Sequence, residues 1–205
     1  MDNLPESLVP EENDLSREQS LELIASVISQ AKNDYYDTGI SALLWGSVVI
    51  FCSLATYANA TLHWPVLEWI WCLIVVAVVP QIIIAKREAK MRGYKSHVSD
   101  LSAGIWLSYG VAMFVFSYID AATHIPHDIP IYLTLFGIPT LATGYGRRFK
   151  PMIFGGLACW VLAILTVHIR YPDPLFLMAG GALLAWFIPG LILRTRYLKA
   201  KQQHV

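Results

Sequence analysis

The chain has 205 residues, of which 56% are hydrophobic and 15% are charged, and its formal net charge is zero. A soluble domain contains roughly 25% charged residues, so this composition is typical of a membrane protein rather than of a soluble globular one. The balanced charge also argues against a nucleic-acid-binding protein, which would present a basic surface.

The N-terminal region is predicted to begin disordered and to continue as a helix. Residues 1–15 are acidic, contain two prolines and lack aromatic residues, which is typical of a disordered tail. Residues 16–36 are predicted to form an amphipathic cytoplasmic helix, because Leu21, Ile24 and Ile28 recur at helical spacing. We expect this helix either to bind a cytosolic protein partner or a sibling subunit, or to lie on the membrane surface or on the basic loops.

Six long apolar segments follow, and each is predicted to be a membrane-spanning helix. A helix needs about 20 apolar residues, within a range of roughly 17–25, to cross the hydrocarbon core of a membrane. The predicted spans form a membrane domain over 41–193 and comprise residues 41–58, 64–85, 101–119, 129–146, 152–168 and 174–193. The fourth span is the weakest, since Pro139 lies in its middle. The sequence therefore predicts an all-α membrane protein, a six-transmembrane helix bundle.

Lysine and arginine are distributed unevenly around these spans. If there are six spans, fourteen of the fifteen basic residues fall on one side and only Arg170 falls on the other. Because basic residues in short loops stay in the cytoplasm, both termini are predicted to be cytoplasmic, including the basic tail at 194–205. The loop between spans two and three either binds anionic lipid or an acidic partner, or serves only to orient the protein. Its basic residues are Lys86, Arg87, Lys90, Arg92 and Lys95.

Small residues at every fourth position predict close helix packing in two of the spans. They are Gly104, Ser108 and Ala112 in the third span, and Gly181 and Ala185 in the sixth. Such faces favour either packing within one monomer or contact between copies in a homo-oligomer.

The side of the predicted membrane opposite the basic loops contains four of the six histidines, together with several carboxylates. Imidazole and carboxylate groups are common ligands of transition metals. The candidate metal ligands are His124, His127, Asp128 and His168. Pro126 and Pro130 interrupt any helix through the first three, so a metal site would need a ligand from a neighbouring hairpin. Otherwise these residues are interfacial histidines and helix caps, and the protein has no cofactor.

Glu68 is the only fully charged side chain inside any predicted span. Carboxylates inside spans are costly and usually functional. We therefore predict a candidate proton or cation site at Glu68, with His63 or Asp120 as its partner. The alternative is a glutamate that reaches the membrane surface or bonds a neighbouring helix, since it lies only about 6 Å along the helix axis from Trp64.

Three stretches of the chain resemble an uncharacterised family of small, six-span Bacteroidota membrane proteins. They are LELIASVISQAKNDYYDTGISALLWG, FGIPTLATGYGRRFKPMIFGGLACWVLA and WFIPGLILR. The resemblance covers most of the chain and implies a location in a bacterial inner membrane. Some members are encoded beside winged-helix regulators, which implies a regulatory role, but no catalytic or binding residue is assigned in the family.

Two classes of function are compatible with the sequence. The first is a sensory, regulatory or partner-binding membrane protein. The second is a small oligomeric transporter or channel that uses Glu68 and the Pro139-broken fourth span. An enzyme is less favoured, because the chain has no HExxH or GxSxG motif and no paired intramembrane aspartates. A polar cavity at mid-membrane would favour transport, whereas a dry bundle with polar groups at its ends would favour regulation.

Overall fold

The computed structural model describes residues 19–22, 24–25, 38–63, 69–91 and 97–203, and within them the chain forms helices and turns but no strand. The described residues from 38 onward form seven α-helices: α1 (Ile40–Leu62), α2 (Leu73–Met91), α3 (His97–Thr123), α4 (Ile129–Gly146), α5 (Lys150–Thr166), α6 (Pro174–Ala182) and α7 (Ile188–Gln203). A 3-10 turn, Ile70–Cys72, precedes α2, and a π-helical turn, Leu183–Phe187, joins α6 to α7. The all-α prediction is confirmed.

The N-terminal prediction lies mostly outside the described residues. Residues 19–22 and 24–25 are helical, and the side chains of Leu21 and Ile24 are exposed. The predicted disordered tail at 1–15 and the remainder of the predicted helix at 16–36 are not among the described residues.

In the part of the chain that the structure describes, four helical stretches are long and apolar enough to cross a membrane, namely Ile40–Leu62, Ile70–Lys90, Asp100–Thr123 and Pro174–Gln202. The two remaining helices are shorter, since α4 has 18 residues and α5 has 17. The chain is therefore a membrane-embedded helical protein.

Neighbouring helices run in opposite directions, because contact positions rise along one helix as they fall along the next. The contacts that fix these directions are Ser41–Gln81 and Thr56–Trp71 for α1 and α2, Trp106–Thr143 and Ser117–Tyr132 for α3 and α4, Gly137–Trp160 and Gly144–Ile153 for α4 and α5, and Gly46–Phe187 and Tyr57–Phe176 for α1 and the α6–α7 segment. The α6–α7 segment runs parallel to α4, because Leu133 lies against Gly181 and Thr140 bonds Trp186. The six helical segments therefore alternate in direction along the chain.

The hydrophobic core lies between α1, α4, α5 and the α6–α7 segment. Leu133, Cys159, Ala182 and Ala185 are each 0% exposed, and Phe136 is 1% exposed. Because lipid tails are as apolar as these side chains, close van der Waals packing rather than the hydrophobic effect holds such helices together in a membrane.

Glycines allow the backbones of the central helices to touch. A Cβ atom on Gly155 would lie 2.4 Å from the Leu184 carbonyl oxygen and 2.7 Å from the Ala185 Cα. A Cβ atom on Gly46 would lie 2.9 Å from the backbone nitrogen of Phe187. The π-helical turn is therefore held between α1 and α5 with no space for an added methyl group.

Helices α2 and α3 lie at the periphery of the bundle. Only 6% of the residues in the most apolar stretch of each helix are buried, compared with 28% for α1 and 50% for the α6–α7 segment. The two predicted small-residue faces consequently differ. In α3, Gly104, Ser108 and Ala112 are exposed, and nothing lies within 4 Å of a Cβ built on Gly104. In the α6–α7 segment, Gly181 and Ala185 are buried inside the protein.

Candidate functional site

Positive charge is concentrated at one end of the bundle. Among the described residues, ten of the eleven lysines and arginines lie at this end, which we call the basic end, and Arg170 alone lies at the other. They are Lys86, Arg87 and Lys90 on α2, Arg147, Arg148 and Lys150 around the α4–α5 turn, and Arg194, Arg196, Lys199 and Lys201 on α7. Arg92 and Lys95 are outside the described residues. The opposite end, which we call the histidine end, contains residues 63, 124–128 and 167–173.

A buried carboxylate lies among the cations of the basic end. Glu88 on α2 is 8% exposed, and the hydroxyl of Thr38, itself 4% exposed, donates a hydrogen bond to it. The next residue, Gly39, has φ +69° and lies against the Gly190 carbonyl oxygen and the Arg194 backbone nitrogen of α7. The chain that enters α1 is therefore fixed between α2 and α7. Sequence reasoning did not identify the Thr38–Glu88 pair, because the two residues are fifty positions apart.

The middle of the bundle is closed by side chains whose polar atoms bond one another. The Trp186 indole N–H donates to the Thr140 hydroxyl at 2.8 Å, and that hydroxyl donates to the Phe136 carbonyl at 2.7 Å. The Trp106 indole donates to the Thr143 hydroxyl at 3.0 Å. These bonds satisfy indole and hydroxyl groups that lipid could not solvate.

Pro139 lies in the middle of α4, where the broken fourth span was predicted. It is among the fully buried side chains and does not face an open space. Two buried side-chain oxygens in the described residues lack a hydrogen-bond partner, Ser53 Oγ on α1 and Gln81 Oε1 on α2. Glu68 lies outside the described residues, so its predicted pairing with His63 or Asp120 remains a prediction.

All four histidines of the histidine end are exposed and lie at helix ends or in turns. His63 ends α1 with φ +54°, His124 follows α3 with φ +50°, and His127 lies in the α3–α4 turn with φ +61°. Such left-handed conformations are uncommon for residues other than glycine, and histidine is among the residues that adopt them more often. His168 lies in the turn that follows α5.

The predicted metal ligands do not form a cluster among the described residues, which contain no group of three or more His, Cys, Asp or Glu side chains that could hold a metal ion. Asp120 instead organises the α3–α4 turn. Its Oδ1 accepts a hydrogen bond from the Ile125 backbone N–H at 3.2 Å, and its Oδ2 accepts one from the Tyr132 hydroxyl at 3.5 Å.

Asp128 precedes α4 and is half-buried close to Asp120. Burial raises the pKa of the Asp128 carboxyl above its ordinary value, and the negative charge of Asp120 raises this pKa further, while backbone hydrogen bonds and His127 lower it. Water therefore solvates the Asp128 carboxylate incompletely, and the charge of Asp120 acts on it.

A cleft of about 260 Å³ opens beside Asp128 at the histidine end. It lies where the α3–α4 turn meets the α5–α6 turn. The residues that line it are His127, Asp128, Ile129, Pro130, Thr166, Ile169, Tyr171 and Pro174. Thr166 is 1% exposed, and its hydroxyl donates to the Ala163 carbonyl at 2.6 Å.

The sequence predicted only part of this cleft. His127 and Asp128 were identified from their residue types as candidate metal ligands. Thr166, Ile169 and Tyr171 were not, since they lie at the end of α5 and in the turn after it, about forty positions further along the chain. An aromatic and a threonine beside a helix end give no distinctive signal in a membrane protein, where such residues commonly lie at the interface.

Comparisons with protein-family models, with curated proteins and with solved structures find no match for this chain. The geometry of the two ends and of the closed middle is therefore the basis for a functional proposal.

Proposed function

We propose that the six helical segments are six membrane spans of a bacterial inner-membrane protein with both termini in the cytoplasm. The alternating helix directions support this topology, and so does the ratio of ten basic residues to one between the two ends of the described chain. Helices α4 and α5 are the shortest spans, and at 1.5 Å per residue they cover about 27 Å and 26 Å, close to the thickness of the hydrocarbon core.

We propose that the protein is a sensory or regulatory binding protein rather than a transporter. The packed middle of the bundle is the observation that supports this proposal. Leu133, Phe136, Pro139, Thr140 and Cys159 are each less than 2% exposed, at the depth where a transporter would hold its substrate. Polar groups with access to water lie at the two ends, so recognition takes place there.

The two ends have different roles in this proposal. The cleft at the histidine end receives a ligand. The basic end transmits the response, because the Thr38–Glu88 pair connects the chain that enters α1 to α2. The N-terminal helix then contacts a cytosolic protein through exposed apolar side chains, since Leu21 is 64% exposed and Ile24 is 54% exposed.

Ion flux into liposomes tests whether the bundle is closed. Purified protein is reconstituted into vesicles that contain a pH-sensitive dye, and proton, sodium and potassium gradients are imposed in turn. We expect the same leak as in protein-free vesicles. A faster flux that is lost in Glu68→Gln would overturn the proposal and would favour the transporter that uses Glu68 and Pro139.

Site-specific photocrosslinking in cells tests the output side. A photoreactive amino acid is placed at Leu21, at Ile24 or, as a matched control on the same short helical segment, at Glu22. We expect one protein adduct of the same mass from both apolar positions and none from Glu22. Adducts with lipid alone would show that this helix lies on the membrane surface, and would contradict its role in output.

A further inference from the structure

We infer that the cleft between the α3–α4 and α5–α6 turns binds a small organic cation, namely a primary alkylammonium ion with a short apolar chain. The inference rests on the proposed sensory function and specifies the chemical class of its ligand. The chemistry of the lining residues supports each part of this assignment.

The size of the cleft limits the ligand to a small molecule. Its volume is about 260 Å³. Pockets for drug-sized ligands usually measure about 300–1,000 Å³, so this cleft fits a smaller compound. It lies at the histidine end of the bundle, and a ligand can therefore enter from water without crossing the membrane.

The charges around the cleft favour a cation. Asp128 lines it. Tyr132, one turn further along α4, donates two hydrogen bonds: its hydroxyl donates to the Asp120 carboxylate, and its backbone N–H donates to the Asp128 carbonyl. The negative charge of Asp120 also acts on the Asp128 carboxyl. Arg170 precedes Tyr171 in the chain but does not line the cleft.

Helix ends modify this charge without reversing its sign. The N-termini of α4 and α6 and the C-terminus of α5 all lie at the cleft. Each end contributes about half an elementary charge, positive at an N-terminus and negative at a C-terminus. The three ends together add about half a positive charge, which is smaller than the unit negative charge of an ionised Asp128 carboxylate, so a cation is attracted and an anion is repelled.

The remaining lining residues suit an alkyl group attached to a nitrogen. Ile129, Ile169 and Pro174 provide an apolar wall, and Tyr171 provides an aromatic ring that can contact a cation through its face. The Thr166 hydroxyl donates a hydrogen bond to the Ala163 carbonyl. The lone pairs of its oxygen therefore remain available to accept an ammonium N–H. An organic cation fits better than a transition metal, because the described residues offer no set of three metal ligands.

Calorimetric binding of propylammonium to the purified full-length protein tests the inference, with propionate and propanol as probes of the same size. We expect propylammonium to bind and the other two compounds not to bind. Asp128→Asn should weaken propylammonium binding at least tenfold. Asp173→Asn is the matched control, because Asp173 is exposed in the neighbouring turn and does not line the cleft, and it should leave the affinity unchanged.

Three results would overturn the inference: equal binding of propionate, equal losses in Asp128→Asn and Asp173→Asn, or no propylammonium binding at millimolar concentration. Thermal unfolding of each variant without ligand shows whether it is folded, and Thr166→Val, which keeps both carboxylates, provides a second variant that should weaken binding. The flux measurement is independent of these outcomes. Absence of binding together with absence of flux removes this ligand class only, whereas flux through the bundle removes the sensory proposal.

Discussion

Replacement of Gly155 by alanine should separate two helices that now touch through their backbones. The added Cβ atom would lie 2.4 Å from the Leu184 carbonyl oxygen and 2.7 Å from the Ala185 Cα. Both are backbone atoms, so neither can move away unless the whole helical segment shifts. Overpacking of this kind typically costs about 1–3 kcal/mol. The cost would be measured as a fall in the free energy of unfolding.

Gly104→Ala is the matched control for this substitution. Gly104 is also a helical glycine, but a Cβ atom there has no neighbour within 4 Å. In a helix interior, alanine is favoured over glycine by about 0.8–1.0 kcal/mol, and this gain applies to both variants. The difference between the two variants therefore isolates the steric term, which we expect to be about 1–3 kcal/mol.

Reversible unfolding with sodium dodecyl sulfate in mixed micelles, followed by tryptophan fluorescence, measures both variants under the same conditions. We expect Gly155→Ala to be less stable than the parent protein and Gly104→Ala to be equally stable or slightly more stable. Equal stability of the two variants would refute the close contact between α5 and the π-helical turn, and with it the packing that closes the middle of the bundle.

Three further predictions follow from other contacts. Thr140→Val leaves the Trp186 indole without its hydrogen-bond partner and should lower the free energy of unfolding by about 0.6–1.7 kcal/mol in the same titration; an unchanged free energy would show that this bond does not stabilise the protein. Asp128→Asn removes a carboxylate whose pKa is raised by burial and then by Asp120. Because a raised pKa means that the charged form destabilises the folded state, the variant should be more stable than the parent at pH 7, and this advantage should vanish below the ordinary pKa of 3.8; a pH-independent difference would contradict it. If α3 mediates a homodimer, Gly104→Leu should abolish energy transfer between labelled copies in dilute liposomes, while Gly110→Leu, which is equally open but lies about 120° away around the helix, should not; equal effects would exclude this face.

The helical architecture could be predicted from the sequence because the length of each apolar run determines whether it can be a helix that crosses a membrane. Pro130 and Pro174 lie in the first turns of α4 and α6, where a missing backbone N–H costs nothing. Which helices form the centre could not be predicted. The small-residue faces of α3 and of the α6–α7 segment have the same spacing, yet Gly104 faces outward and Gly181 contacts Leu133.

The candidate site was less predictable than the fold because its contacts connect distant parts of the chain. Trp186 bonds Thr140 across forty-six positions, and Thr38 bonds Glu88 across fifty. Residue type identified Asp128 and His127, but only the antiparallel packing of α5 against α4 and α6 brings Thr166 and Tyr171 beside them. Helical periodicity indicates which residues share a face of one helix, and it does not indicate which turns meet.

The reactivity of Cys159 toward water-soluble thiol reagents tests most directly whether the middle of the bundle is closed. Its side chain is 0% exposed, and its Sγ lies 3.6 Å from the Gly181 carbonyl oxygen. With Cys52 and Cys72 replaced by alanine, a charged methanethiosulfonate would be applied from each side of the membrane, and Tyr171→Cys at the exposed histidine end would serve as the positive control. We expect the added cysteine at position 171 to react and Cys159 to remain unmodified from both sides. Modification of Cys159 in the folded protein, at a rate comparable to that of the control, would show that water reaches the middle of the bundle and would contradict a closed binding protein.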